Sequence, residues 1–171
     1  MKKLAQETIA NYMNALARPA PVPGGGSSGA LVGALGAALL EMSMGYSSFS
    51  RNELKTIRKI RIELTRLIDE DARAYKKVVQ SRRGNFRRKQ EALIRATKVP
   101  HEICRCCQRA IRLAKRWGKK IKPALKSDWV AGESFLKTAF KAVLLNVEQN
   151  LKELNRIRRT TDHGRRMTVF Q

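Results

Sequence analysis

The sequence predicts an all-α protein, a bundle of about five to six helices, and three observations lead there. Apolar residues recur at steps of three and four along most of the chain, no run alternates long enough to make a convincing strand, and no segment repeats another. With 171 residues, 43% hydrophobic and 29% charged, one core is expected, burying roughly 70% of the extended surface without disulfides. Such a composition excludes a wholly disordered chain.

A first helix is expected over about residues 3–17, with Leu4, Ile9, Tyr12, Met13 and Leu16 on its buried side and Pro19, Pro21 and Pro23 ending it. A glycine-rich loop leads to a second helix over about residues 28–44, in which Gly29, Gly33 and Gly36 stand among alanines and leucines. Each interior Gly is about 1 kcal/mol worse than Ala, so close approach of another helix must compensate. Ser50 or Asn52 can cap a third helix running to about residue 83, with Ile57, Ile60, Leu64, Leu67, Ile68, Tyr75 and Val78 on one face. Gly84 and Asn85 end it. A fourth helix from Phe86 is expected to break at Pro100, because the residue before a proline leaves the α region, and to resume as far as Trp117. After a loop containing Pro123, Ser127 caps a last helix that carries Phe135, Leu136, Phe140, Val143, Leu144, Val147, Leu151 and Leu154. Residues 1–156 make one domain, and residues 157–171 read as a basic C-terminal tail open to disorder.

Net charge is +22, from 36 Lys and Arg against 14 Asp and Glu. Clustered cations displace counterions from a phosphate backbone, and Arg105, Arg109, Arg112, Arg116 and Lys120 form one stripe at helical spacing. Ile103, Cys107, Ala110, Ala114 and Trp117 lie opposite, which is the pattern of an amphipathic helix with a solvated cationic side. Aromatic residues, at 6%, do not interleave with the cations as a single-strand platform requires. Nucleic-acid binding is therefore an alternative and not the leading function.

The best candidate for a membrane span, residues 30–44, is short and contains Glu41. Polar residues follow Met1-Lys2-Lys3, where a signal peptide would place its apolar core. A cytoplasmic protein without a membrane partner is expected. Cys104, Cys106 and Cys107 are crowded together with only His101 and His163 as further soft ligands, so apolar packing is favoured over a metal site.

Four places are candidates for chemistry. Gly24, Gly26 and Gly29 match G-x-G-x-x-G, but the approach is proline-rich and follows a helix, so the dinucleotide reading fails. What remains is Gly24, Gly25, Gly26 and Ser27 presenting backbone N–H groups at a helix start, either as a plain cap or as a cradle for an anion or carbonyl. Asp71 interrupts the apolar stripe of the third helix, flanked by Asp69 and Glu70, which should be more exposed. A carboxyl on a buried face tends toward a raised pKa, which suits a proton donor or an orienting acceptor. Asp128 follows Ser127 in a first helical turn, where the dipole favours an anion. Asn146 and Asn150 interrupt the apolar end of the last helix one turn apart, and each amide needs partners if buried.

These residues resemble the cyclodeaminase/cyclohydrolase family of folate enzymes. The resemblance rests on Pro21-Val22-Pro23-Gly24-Gly25-Gly26-Ser27 with the Gly/Ala-rich segment after it, Asp69-Glu70-Asp71-Ala72 before Ala74-Tyr75, Ala96-Thr97-Lys98-Val99-Pro100, Ser127-Asp128, and Leu145-Asn146-Val147 with Asn150-Leu151. It implies a helical bundle that forms a homodimer, with a folate-sized cleft near the subunit interface and neither metal nor prosthetic group. The implied reaction is hydrolysis of 5,10-methenyltetrahydrofolate to 10-formyltetrahydrofolate, or cyclisation of 5-formiminotetrahydrofolate with release of ammonia. It also implies Asp128 as the acid/base residue, Asp71 and Asp69 as pterin or proton-relay residues with Asp71 counted beside Asp128 in the catalytic pair, Gly24 to Ser27 and Ser127 as binding elements, and Asn146 and Asn150 as orienting amides. Where the family is expected to carry Asn-Leu-Thr, this chain has Gly45-Tyr46-Ser47, which leaves a folate-binding homologue without turnover as an alternative. The cationic segment 81–88 reads either as attraction for a polyglutamylated folate tail or as part of a general basic drift.

Overall fold

A computed structural model describes residues 3–167, with side chains as far as Ile157 and at Arg159. Five helices follow one another: α1 (Ile9–Leu16), α2 (Gly25–Gly45), α3 (Arg51–Ser81), α4 (Phe86–Trp117) and α5 (Lys126–Met167), with 3-10 turns at Leu4–Gln6, Gly118–Lys120 and Pro123–Leu125. No strand occurs among the described residues.

The sequence of α2 is the reason the bundle closes around it. Small residues on its surface let α3, α4 and α5 all approach. A Cβ on Gly29 would run into Val143 of α5, one on Gly33 would lie 3.1 Å from Cys107 Sγ of α4 and 3.4 Å from Leu64 of α3, and one on Gly36 would lie 2.7 Å from the Gly132 carbonyl oxygen of α5. Gly132 reciprocates, with Gly36 O 2.9 Å from its would-be Cβ. Dispersion contacts of three neighbouring helices thus offset the helix propensity that the glycines forfeit. By length and composition α2 is long and apolar enough to cross a membrane, with a mean hydropathy of 1.3 over an 18-residue window, more than the sequence reading allowed. Half of that window is buried in the bundle, and Glu41 binds Arg58 at 2.6 Å and Arg61 at 2.7 Å on α3. Its hydrophobicity serves the protein core.

Ser50 caps α3 as expected, accepting from the Glu53 N–H while Glu53 accepts from the Ser50 N–H. Other expectations need correction. α4 runs unbroken through Pro100. Proline lacks the N–H that would bond to the Ala96 carbonyl, and the Asn150 side-chain amide of α5 donates to that oxygen instead, at 2.9 Å. α1 buries Tyr12 alone, with Ile9, Met13 and Leu16 left 78%, 57% and 37% exposed, because a two-turn helix on the outside of the bundle meets the core on one narrow edge. α5 begins at Lys126, directly after the turn that Pro123 initiates, so Ser127 lies inside the helix and does not cap it. The same helix continues to Met167 where the sequence reading ends the domain and begins a tail; residues 168–171 of that tail lie outside the described residues.

Gly36→Ala is expected to destabilise the fold by about 1–3 kcal/mol in urea unfolding, since overpacking against Gly132 outweighs the gain in propensity. Gly45→Ala, with nothing within 4 Å of the added methyl, should be neutral or stabilising by up to about 1 kcal/mol.

Candidate active site

A cavity of about 950 Å³ lies where the start of α2, the later part of α3, the first half of α4 and the later part of α5 meet. Gly24, Gly25 and Gly26 form one side, Asp71, Tyr75 and Val78 of α3 the next, and Leu93 and Ala96 of α4 an apolar wall. Asn146, Gln149 and Asn150 of α5 bring amides to it. Arg82, Lys89, Lys152 and Arg156 line it as well, and Arg156 binds Glu153 through two contacts at 2.9 Å.

Asp71 sits against the first turn of α2. A Cβ on Gly26 would lie 2.6 Å from Asp71 Oδ2 and closer still to Oδ1, so only glycine leaves room for the carboxyl group. Two effects oppose each other here. Burial disfavours the charged form, whereas the Ser27 backbone N–H at the helix start favours it. Burial wins, and the carboxyl is pushed up from an ordinary 3.8 to about 6. Behind this pair the Tyr12 hydroxyl shares a 3.0 Å hydrogen bond with Ser27 Oγ, both residues being buried. Burial raises the Tyr12 pKa, the Ser27 hydroxyl lowers it, and the Asp71 charge raises it again. Tyr12 therefore ties α1 to the turn that holds Asp71.

The residues singled out in the sequence divide into two groups. Gly24, Gly25, Gly26, Asp71, Asn146 and Asn150 come together around the cavity, and Asn146 Nδ2 lies 3.3 Å from where a Gly25 Cβ would be. Asn150 lends one amide hydrogen to Ala96, so it joins two helices as well as facing the hollow. Ser27, Asp69, Ser127 and Asp128 do not line it. Ser27 turns its hydroxyl inward to Tyr12. Asp69 is buried, not exposed as its position beside Asp71 suggested, and its Oδ1 accepts from the Leu4 N–H at 2.6 Å, pinning the first 3-10 turn to α3. Asp128 stands at the other end of the bundle. Asn146 is 18 positions further along α5, about 27 Å of helix. At that far end the Lys122 N–H donates to Ser47 Oγ at 3.3 Å, so the divergent Gly45-Tyr46-Ser47 segment is also about 30 Å of α2 away from Gly25.

Arg82 belongs to the cationic segment 81–88 already read as a polyglutamate contact and Tyr75 to a block of the family resemblance, whereas Tyr12, Lys89, Gln149 and Lys152 carry no site expectation from the sequence. Gln149 and Lys152 follow from Asn146 at helical spacing, and Arg82 and Lys89 flank the Gly84 turn, so the signal existed once one member was placed. Cys104 and Cys107 are buried, Cys106 half-buried, and burial pushes their thiols to about 11, 12 and 11 respectively, which suits packing and not reactivity.

Because the native state holds the Asp71 proton more tightly than the unfolded chain, its burial carries no penalty below about pH 4 and destabilises increasingly as pH rises through 6. Asp71→Asn should accordingly raise stability by about 1–3 kcal/mol at pH 7.5 and by little at pH 4, measured by thermal unfolding at the two pH values.

The family model for formiminotransferase-cyclodeaminase matches residues 8–166. The methenyltetrahydrofolate cyclohydrolase of Methylorubrum extorquens is 32% identical, over 87% of this chain and 81% of that protein. Among solved structures, the formiminotetrahydrofolate cyclodeaminase of Thermotoga maritima superposes with a TM-score of 0.82 at 23% identity, covering 91% of this chain and 84% of that one, which shows a shared fold. With the match extending from the cap of α1 to the last turn of α5, the chain belongs to the formiminotransferase-cyclodeaminase family.

Proposed function

We propose that this chain is a one-carbon folate enzyme that hydrolyses 5,10-methenyltetrahydrofolate to 10-formyltetrahydrofolate, with Asp71 as its acid/base group. The observation that carries the reading is Asp71 itself, a half-buried carboxyl with a pKa of about 6 on a side-chain-free helix start, facing a hollow large enough for a reduced pterin and its arm. Hydrolysis is favoured over deamination because the relative at 32% identity bears that name.

In the proposed chemistry water attacks the cationic carbon between N5 and N10, and ionised Asp71 takes one of its protons, giving a neutral carbinolamine. Asp71 then returns that proton to N5 as the carbon–N5 bond breaks, while the hydroxyl proton leaves to solvent and the formyl group remains on N10. A group with a pKa near the working pH is suited to both transfers. Asn146, beside Gly25, orients the pterin amide, and the apolar wall of Leu93 and Ala96 shields the reacting carbon from bulk water. Cyclisation of 5-formiminotetrahydrofolate with loss of ammonia is the second reading, supported by the family description, and it uses the same carbon and the same proton donor. No step of either reading calls on a metal or a prosthetic group.

Arg82, Lys89 and Lys152 have no carboxylate partner among the described residues, which supports recognition of a polyglutamylated substrate at the rim. Leu35, Leu39 and Met42 form an incompletely covered stripe on α2, which supports a homodimer. We place the enzyme in the cytoplasm, where its three free cysteines stay reduced.

Decay of the near-ultraviolet absorbance of 5,10-methenyltetrahydrofolate tests hydrolysis, and ammonia release from the 5-formimino substrate tests the second reading; neither signal from the folded protein would leave the binding-only alternative. Asp71→Asn should lower kcat by about 10²- to 10⁴-fold, whereas Asp128→Asn should leave turnover within a few-fold. Wild-type kcat/KM should fall as pH drops through about 6, where Asp71 takes up its proton. Salt should raise KM steeply for the polyglutamylated substrate and little for the monoglutamate, and Arg82→Gln with Lys89→Gln should flatten that dependence.

A further inference from the structure

The second half of α4 lies outside the cavity, whose last α4 residue is Ala96. Between Ile103 and Ser127 the chain carries nine Lys or Arg residues and no Asp or Glu. Arg105, Arg109, Arg112 and Arg116 are all exposed and recur at steps of four, three and four, which keeps them within about 60° of one another along α4, and exposed Lys119 follows in the 3-10 turn, about 21 Å from first to last. Nearby carboxylates are already engaged: Glu102 with Arg105 at 3.3 Å, Glu53 with Lys120 at 2.7 Å, and Glu63 of α3 with Arg66 at 2.7 Å. Glu63 and Arg109 both act on the Cys106 thiol, so these sides of α3 and α4 adjoin, yet Arg109, Arg112, Lys115, Arg116 and Lys119 have no carboxylate within 4 Å among the described residues. Mutual repulsion along such a row is unfavourable in the free protein and is relieved by an extended polyanion.

We propose that the outward face of the second half of α4 is a docking surface for the phosphate backbone of duplex DNA. Over 21 Å a duplex offers about six phosphates on each strand, enough to meet the whole row. Stacking on unpaired bases is disfavoured, because Trp117, the aromatic residue in this part of α4, is buried. A lipid surface is disfavoured too, because no large exposed apolar side chain lies between Phe86 and Val130 to enter it. The contacts reach phosphates and not base edges, so binding is independent of sequence. This surface does not depend on the folate reading.

The test is fluorescence anisotropy of the whole protein over a salt series with duplex DNA, duplex RNA of the same sequence, the single strand, and vesicles of phosphatidylcholine with phosphatidylserine. The row is matched to the phosphate spacing of B-form DNA, so duplex DNA should bind at least as tightly as duplex RNA, and tighter binding to duplex RNA would overturn the proposal. For five contacts, log K should fall with log salt at a slope of about −4 to −5. Arg109→Glu with Arg112→Glu and Arg116→Glu should remove about 2.7 of that slope and weaken duplex binding by more than about tenfold at physiological salt. A second triple variant, Lys3→Glu with Lys76→Glu and Lys141→Glu, makes the same change in net charge at scattered exposed sites and should bind nearly as the parent does. Equal weakening by both variants would mean that overall charge alone is responsible, and tighter binding to the single strand or to vesicles than to either duplex would also overturn the proposal. Circular dichroism confirms that both variants remain helical.

Discussion

The close approach of α2 to its three neighbours is the constraint on which the rest of the structure depends. Packing at Gly29, Gly33 and Gly36 sets the depth of α5, α4 and α3 against one central axis, and the same device continues at Gly26, where the missing side chain makes space for Asp71. Core packing and the seat of the carboxyl group are therefore one geometric solution. A methyl group at Gly36 would press on the Gly132 backbone and shift α5, because cores accommodate added volume by moving backbone.

That seat also explains why the electrostatics of Asp71 come out as they do. A helix start ordinarily holds a carboxylate in its charged form, and the Ser27 N–H contributes in that direction. Here the turn is itself covered, by α1 through Tyr12 and by α3, so loss of hydration exceeds what one peptide dipole returns. Asp69, two residues away, is buried as well, but its Oδ1 accepts from the Leu4 N–H and it has no access to the hollow. Neighbouring carboxylates on one helix thus serve unrelated purposes, one fastening the N-terminal turn and the other facing the cavity.

Much of this was legible in the sequence. The periodicity of α3 and α4, the Ser50 cap and the interruption of an apolar stripe at Asp71 are local signals, and local signals survive translation into structure. What failed depends on partners remote in sequence. Pro100 reads as a break unless Asn150 is known to supply its missing hydrogen, and Asp69 reads as exposed unless Leu4 is known to reach it. Ile9, Met13 and Leu16 carry a helical pattern, but a pattern does not say how much of the core a short outer helix will touch. Asp128 lies about 27 Å of helix from Asn146, a separation that an acid's position early in a helix does not reveal.

At Pro100 the bundle replaces a bond within one helix by a bond between two. The wall formed by α4 and the amides presented by α5 are consequently coupled at the very turn that borders the hollow. Fraying of α4 there would break the bond from Asn150, and a rotation of α5 would orphan the carbonyl of buried Ala96, so parting the two sides of the cleft at this turn costs that hydrogen bond. An irregularity that looks like a flaw in one element becomes a rivet between two walls of a large, water-accessible concavity.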